Sequence, residues 1–274
     1  MARIELDKYY TPLETAKYCI DKAFEIIGIE NITHVVEPSA GAGAFSTQIP
    51  DSPYYLLPPS AYDIEPEHPD IVKQDFLTLW MSPMRGRLII GNPPFGSDGK
   101  LIRKFFSRAC AMGDFIAWIL PIRYLNNTVT LYEFDLIYSE DLGVLEYSGK
   151  PVHCCFNIYK RPASLVENKR RLKKLKSVSY VTIRRSSNEH EKYNYSDFDL
   201  VICGWGSVGK VSDYLGQYAK EIGIRVNVGG ELKEQILDFL RTFDWNKRFP
   251  SSGVPLISGY HIVVALKERF PDLE

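Results

Sequence analysis

The sequence predicts an α/β fold built on a parallel sheet with helices on both faces. Three observations predict it. Short apolar runs alternate with helical patterns along residues 12–159. Every glycine- or proline-rich motif in that stretch falls at the end of a predicted strand, where such sheets hold their ligands. The chain has 274 residues, 45% of them hydrophobic, enough to bury a full core.

Residues 12–28 read as a helix. Thr11 is placed to cap it, Pro12 suits its first position, Glu14 completes a capping box and Gly28 ends it. His34-Val35-Val36 is a strand that runs into the small-residue turn EPSAGAGAF, 37–45. Ala61 to Ile64 is a second strand, closed by Glu65-Pro66. A third element ends at Gln74-Asp75-Phe76-Leu77. Arg87 to Ile90 is a buried strand leading into GNPPFG, 91–96. Leu101 to Ala111 has helical spacing, and Phe115 to Leu120 is a strand stopped by Pro121. Val144 to Tyr147 and Cys155 to Tyr159 are two further strands.

Past Arg161-Pro162 the texture changes. KRRLKKLK, 169–176, holds six basic residues in eight. Ser179 to Arg184 and Phe198 to Cys203 are strand-like, GWGSVG (204–209) is a glycine turn, and helical patterns follow around 210–222 and 231–242. The change of texture divides the chain into residues 1–162 and a smaller C-terminal region, 163–274.

Charged residues make up 24% and the net charge is −1, which excludes a disordered or supercharged chain. The apolar runs are too short to cross a bilayer and the N-terminus has no apolar signal core, so the expectation is a cytoplasmic protein with no membrane partner. Five cysteines form no C-x-x-C pair and no His/Cys cluster, which points to a reduced compartment and no metal site. Residues 1–162 carry 15 Lys and Arg against 20 Asp and Glu, and the remainder 18 against 14. The basic C-terminal part suits a polyanionic partner, or is an ordinary solvated surface.

The strongest motif is Asn92-Pro93-Pro94-Phe95 after a buried strand. An exocyclic amine is a poor nucleophile because its lone pair is delocalised into the ring. Acceptors that hold both amino protons favour the positive charge that grows on nitrogen as it attacks a methyl group. The Asn92 side-chain oxygen and the Pro93 carbonyl suit that task. Pro93 and Pro94 stiffen the loop, and Phe95 offers a flat face for a base.

NPPF, with EPSAGAGAF upstream, resembles the γ-type, TaqI-like S-adenosylmethionine-dependent DNA adenine-N6 methyltransferases. The match covers roughly residues 8–162 in the same motif order. The resemblance implies a Rossmann-like class I methyltransferase fold, S-adenosyl-L-methionine as cofactor, and methyl transfer to adenine N6 in double-stranded DNA. KYYTP, with Tyr10, Thr11 and Pro12, is similar to the motif that lies over the methionine end of the cofactor. EPSAGAGAF, with Glu37, Pro38, Gly41 and Gly43, is similar to the glycine loop. Asp63, followed by Ile64, matches the ribose-binding acidic position, and Asp75-Phe76 the adenine-binding pair. The family packs an aromatic residue on the flipped base, and Phe156 is the candidate, opposite Phe95.

The same residues have a physical reading. Gly41 and Gly43 let the backbone pass close to a ligand, and Glu37 can accept from its amino group. G-x-G-x-x-G is absent, which argues against a dinucleotide. Cys154 and Cys155 lie outside the NPPF loop, so a cysteine-nucleophile chemistry is rejected. His153 reads as a hydrogen-bonded loop residue rather than a base. An enzyme acting on a paired base must flip it out and hold the phosphates. Lys169, Arg170, Arg171, Lys173, Lys174 and Lys176 are the phosphate-contact candidates, or the solvated face of a helix. Trp205 reads as core. The rival substrates are RNA adenine, cytosine N4 and a protein glutamine, and a binding-only fold is the rival from another class.

Overall fold

The computed structural model describes residues 10–96, 99–127, 130–147, 150–163, 174–251 and 254–274. The chain falls into two units, Met1–Lys169 and Arg170–Glu274.

The first unit opens with α1 (Leu13–Ile27), then β1 (His34–Glu37), β2 (Ser60–Asp63), β3 (Val72–Lys73) and β4 (Arg87–Gly91). It continues with α2 (Lys100–Met112), β5 (Phe115–Pro121), β6 (Asp135–Tyr147) and β7 (Lys150–Lys160). These strands form one sheet in the order β3-β2-β1-β4-β5-β7-β6. β1 to β5 are parallel, and β7 runs antiparallel to both its neighbours. This is the Rossmann-like sheet of the class I methyltransferases.

Every residue of β1, β4 and β5 is buried, as central parallel strands covered on both faces must be. α1 buries Ala16, Cys19, Ile20, Ala23 and Ile27, one stripe at helical spacing. α2 buries Ile102, Phe105, Phe106, Ala109 and Met112 in the same way. Among the described residues these are the unit's two α-helices; β1 to β4 are joined by turns and loops rather than by the covering helices the alternation suggested. β6 and β7 form a long hairpin whose register shifts between Leu136 and Tyr138 and between Asp141 and Gly143. The strand order reverses between β1 and β4. Loops leaving the carboxyl ends of those two strands therefore diverge and open a crevice.

The second unit holds β8 (Val178–Arg184), β9 (Leu200–Cys203) and β10 (Lys220–Val226), an antiparallel sheet in the order β8-β10-β9. Helices α3 (Gly230–Thr242), α4 (Trp245–Arg248) and α5 (Gly259–Arg269) follow. The helix expected around 210–222 is instead a series of turns running into β10. The carboxylate of buried Glu221 accepts from Ser212 Oγ at 3.0 Å, Gly216 N at 2.8 Å and Tyr218 N at 3.2 Å, which holds those turns. Gly223 in mid-strand leaves room for the Phe198 ring, 2.6 Å from where a Cβ would stand. No helix among the described residues is long and apolar enough to cross a membrane.

Candidate active site

Asn92 is the first residue after β4, so the strand delivers it to the crevice. Its Nδ2 donates to Thr11 Oγ1 at 3.1 Å, and Ser39 Oγ donates to its backbone oxygen at 3.2 Å. Its Oδ1 is buried and has no hydrogen-bond partner among the described residues. A buried carbonyl left unpaired is worth about 1–3 kcal/mol of desolvation, so the group is poised for an incoming N–H. Thr11 is not the helix cap that the sequence suggested. Pro12 stands at the cap position with no side-chain cap bond, and the buried Thr11 hydroxyl serves Asn92 instead.

Pro93 and Phe95 are buried, and Pro94 is partly so. The Phe95 ring meets Tyr147 edge-on, with centroids 6.3 Å apart and planes at 90°. Tyr147 ends β6 and is wholly buried. Burial pushes its hydroxyl up, while a hydrogen bond with the Asn92 side chain acts in the opposite sense. Cys154 Sγ also lies against that hydroxyl, at 3.8 Å. Phe156 is elsewhere: it is mid-strand in β7, opposite Ile119, and inside the core. Tyr147 is therefore an aromatic that the structure places beside the NPPF loop, among the described residues. Its sequence signal is slight, a Tyr at the end of the GVLEY strand.

On the other side of the crevice, Glu37 ends β1 and is 2% exposed. Its Oε2 accepts from Ser46 N at 2.8 Å. Burial pushes its pKa up to about 7; the Ser46 and Phe45 hydrogen bonds oppose this, and the nearby Asp63 charge adds to it. A Cβ on Gly91 would stand 3.5 Å from Glu37 Cγ and 3.6 Å from Pro38 Cδ, so the two strand ends adjoin. Gly41 and Gly43 have φ of +52° and +86°, a conformation that favours glycine. A Cβ on Gly41 would meet nothing within 4 Å, so the loop has open space above it.

Asp63 ends β2 and gives both oxygens to backbone: Oδ2 accepts from Gly41 N and Oδ1 from Glu65 N, each at 2.8 Å. Ile64 beside it is 44% exposed. Asp75 Oδ1 accepts from Leu77 N at 2.8 Å, capping the turn after β3. The Phe76 ring is in the core, 5.3 Å from Phe105, which leaves its backbone N–H as the group a ligand could use. The half-exposed Tyr10 hydroxyl donates to Glu67 Oε1 at 2.7 Å.

His153 is on β7 rather than in a loop, and its Nε2 lies 2.7 Å from Asp141 Oδ1. Cys154 and Cys155 are buried, and burial pushes both thiols up, Cys154 to about 11, which disfavours a thiolate nucleophile. Lys174 and Lys176 are exposed on a non-helical stretch before β8, and Lys169, Arg170, Arg171 and Lys173 lie outside the described residues. Trp205 is exposed rather than core.

No family model and no curated protein matches the chain. Solved structures do. A protein of Pyrococcus horikoshii described as an RNA methyltransferase is 17% identical over 59% of this chain and 90% of its own, with a TM-score of 0.46. The 23S rRNA methyltransferase ErmE is 16% identical over 57% of this chain and 71% of its own, with a TM-score of 0.42. The methyltransferase subunit of the type I restriction-modification system of Streptococcus thermophilus is 14% identical over 97% of this chain and 57% of its own, with a TM-score of 0.39. At these identities and TM-scores the likeness assigns no activity; the fold is read from the strand order itself.

Proposed function

We propose that the chain transfers a methyl group from S-adenosyl-L-methionine to the exocyclic N6 of adenine in double-stranded DNA. The observation that carries this reading is the buried Asn92 Oδ1 with no partner, at the carboxyl end of β4 in a class I methyltransferase sheet.

The open glycine turn at 41–43, the adjacent Glu37 carboxylate and the exposed Ile64 fit a cofactor with a cationic amino-acid end and an adenosine end. Glu37 would hold the charged end, Asp63 the ribose, and Ile64, Asp75 and the Phe76 N–H the adenine. Tyr10, Thr11 and Pro12 would lie over the methionine end. When bound, the cofactor supplies an electrophilic methyl group on sulfur.

Asn92 Oδ1 and the Pro93 carbonyl accept the two amino protons of the target base and so stabilise the charge that builds on nitrogen. Thr11 orients the Asn92 amide by taking its N–H, which leaves the oxygen free for substrate. Phe95 and Tyr147 form the aromatic wall beside the acceptors. No general base is needed, because the proton leaves to solvent once nitrogen carries the charge. The second unit, with exposed Lys174 and Lys176, serves target recognition and phosphate binding in this reading.

Incubation with tritiated cofactor and DNA, RNA or protein, followed by nucleoside and amino-acid analysis, tests it. Label in N6-methyladenine of DNA is expected. Label only in RNA, cytosine or glutamine overturns the substrate assignment, and no transfer to any of them overturns the activity.

A further inference from the structure

We propose that Arg123, Arg103 and the Tyr124 hydroxyl form a seat for a backbone phosphate flanking the target nucleotide, an inference that rests on the nucleic-acid reading above. Arg123 follows β5 directly, and the guanidinium carbon lies 5.3 Å from the centroid of the Tyr124 ring. Tyr124 is buried, so this stacking fixes the guanidinium rather than leaving it to wander. Both groups face Gly99, the residue before α2. A Cβ on Gly99 would stand 2.7 Å from the Tyr124 hydroxyl and 3.0 Å from Arg123 Nη2. Gly99 has a φ of +72°, so glycine is favoured there twice over, by conformation and by space.

Arg103 is exposed in the first turn of α2. Its backbone N–H donates to Gly99 O at 3.2 Å, which sets it one turn from the residue that Arg123 and Tyr124 face, and its charge and that of Arg123 both oppose the upward push of burial on the Tyr124 hydroxyl. Neither arginine is paired with a carboxylate among the described residues. Two arginines and a hydroxyl with no carboxylate partner among the described residues suit an anion that arrives with the substrate. Guanidinium donors match phosphate geometry in pairs. A nucleotide turned out of a duplex rotates about its backbone, so a group that grips the flanking phosphate holds the base at Asn92.

The test measures methyl transfer to a duplex oligonucleotide across a salt series for the parent, Arg103→Gln, Arg123→Gln and the double variant, with calorimetry of S-adenosylmethionine binding alongside. The KM for DNA is expected to rise about tenfold or more in each single variant, with kcat falling less than KM rises. The dependence of log affinity on log salt should shrink by about 0.9 for each phosphate that the protein no longer neutralises. Cofactor affinity and melting temperature should hold, and Arg123→Lys should recover part of the loss. Unchanged KM and salt slope in Arg103→Gln and the double variant overturn the proposal. So does a KM that moves only in step with melting temperature or cofactor affinity. A parent that methylates no nucleic acid overturns the underlying reading first, and is told apart because it requires no variant.

Discussion

Asn92 Nδ2 donates to Thr11 Oγ1 across 3.1 Å while Asn92 Oδ1 stays buried and unpaired. The bond joins the segment before α1 to the loop after β4, 81 residues away. It settles which end of the amide faces the crevice. Asn92→Ala should therefore lower turnover by about a hundredfold or more, the scale for losing one preorganised polar group, with little change in cofactor binding. Thr11→Val should give a smaller loss, about tenfold, because the amide keeps its acceptor but loses its orientation. The double variant should be no worse than Asn92→Ala, since both act through one oxygen. Steady-state kinetics on the four proteins checks this; additive losses would mean that Thr11 acts independently of Asn92.

Glu37 gives a pH prediction. Burial raises its folded pKa to about 7, above the ordinary 4.5. In the ligand-free protein its contribution to stability is present in full below about pH 4.5 and is lost as pH rises through 7. The span corresponds to a difference on the order of 3 kcal/mol. His34 and His261, both pushed down to about 4 by burial, act the other way and remove stability as pH falls below their ordinary 6.5. The difference between the parent and Glu37→Gln isolates Glu37. The variant should melt higher than the parent above pH 7 and lose its advantage near pH 4.5. A cationic ligand favours the ionised carboxylate, so S-adenosylmethionine should bind the parent more tightly at pH 8 than at pH 6 and release a proton near pH 6.5. Calorimetry in buffers of different ionisation enthalpy reads that proton, and a pH-independent affinity equal to that of Glu37→Gln would remove Glu37 from the binding site.

The central strands were legible because burial on both faces leaves an uninterrupted apolar run, as in Phe115 to Leu120, and the Asn92 loop was legible because such a strand delivers it. β6 was readable only at its end. Its residues are half-exposed and carry two register shifts, so no clean alternation survives from Asp135 to Tyr147. The stretch before β10 has apolar residues at helical spacing, Val211, Tyr214, Leu215 and Tyr218. Glu221 captures its backbone N–H groups, and Gly216 sits at φ +85°, so turns win over the helix. Tyr147 could not be placed beside Phe95 from sequence, since the two rings meet only once the β6–β7 hairpin is folded against the end of β4.

Tyr147 and Phe156 can be separated by substitution. Phe156 is a core residue, so Phe156→Ala should destabilise by about 3–5 kcal/mol, with methyl transfer per folded molecule largely retained. Tyr147→Leu keeps much of the buried volume but removes the aromatic wall and the hydroxyl near Asn92. Its kcat/KM should fall at least tenfold more than its loss of stability explains. Urea melts paired with kinetics at a temperature where each variant is folded check this. The opposite ranking would return the base-facing role to Phe156.

Asp63 supports the last prediction. Its two oxygens accept from Gly41 N and Glu65 N, so the carboxylate shapes the glycine turn whatever else it binds. Asp63→Ala should weaken S-adenosylmethionine binding by about 1–3 kcal/mol, since the turn and the ribose hydroxyls lose a charged acceptor together. Asp63→Asn distinguishes the two roles. A ribose hydroxyl can donate or accept, so an amide would satisfy it almost as well as a carboxylate. The backbone N–H groups of Gly41 and Glu65 cannot accept, and one of them would face an amide NH2. If Asp63 acts mainly by holding the turn, Asp63→Asn should bind the cofactor nearly as weakly as Asp63→Ala, and the Gly41 amide should exchange its hydrogen faster in both. Calorimetry with the cofactor alone and amide exchange at Gly41 measure the two effects. An Asp63→Asn variant with the parent's dissociation constant would show that the turn holds without the carboxylate and that the ribose hydrogen bond is what the position supplies.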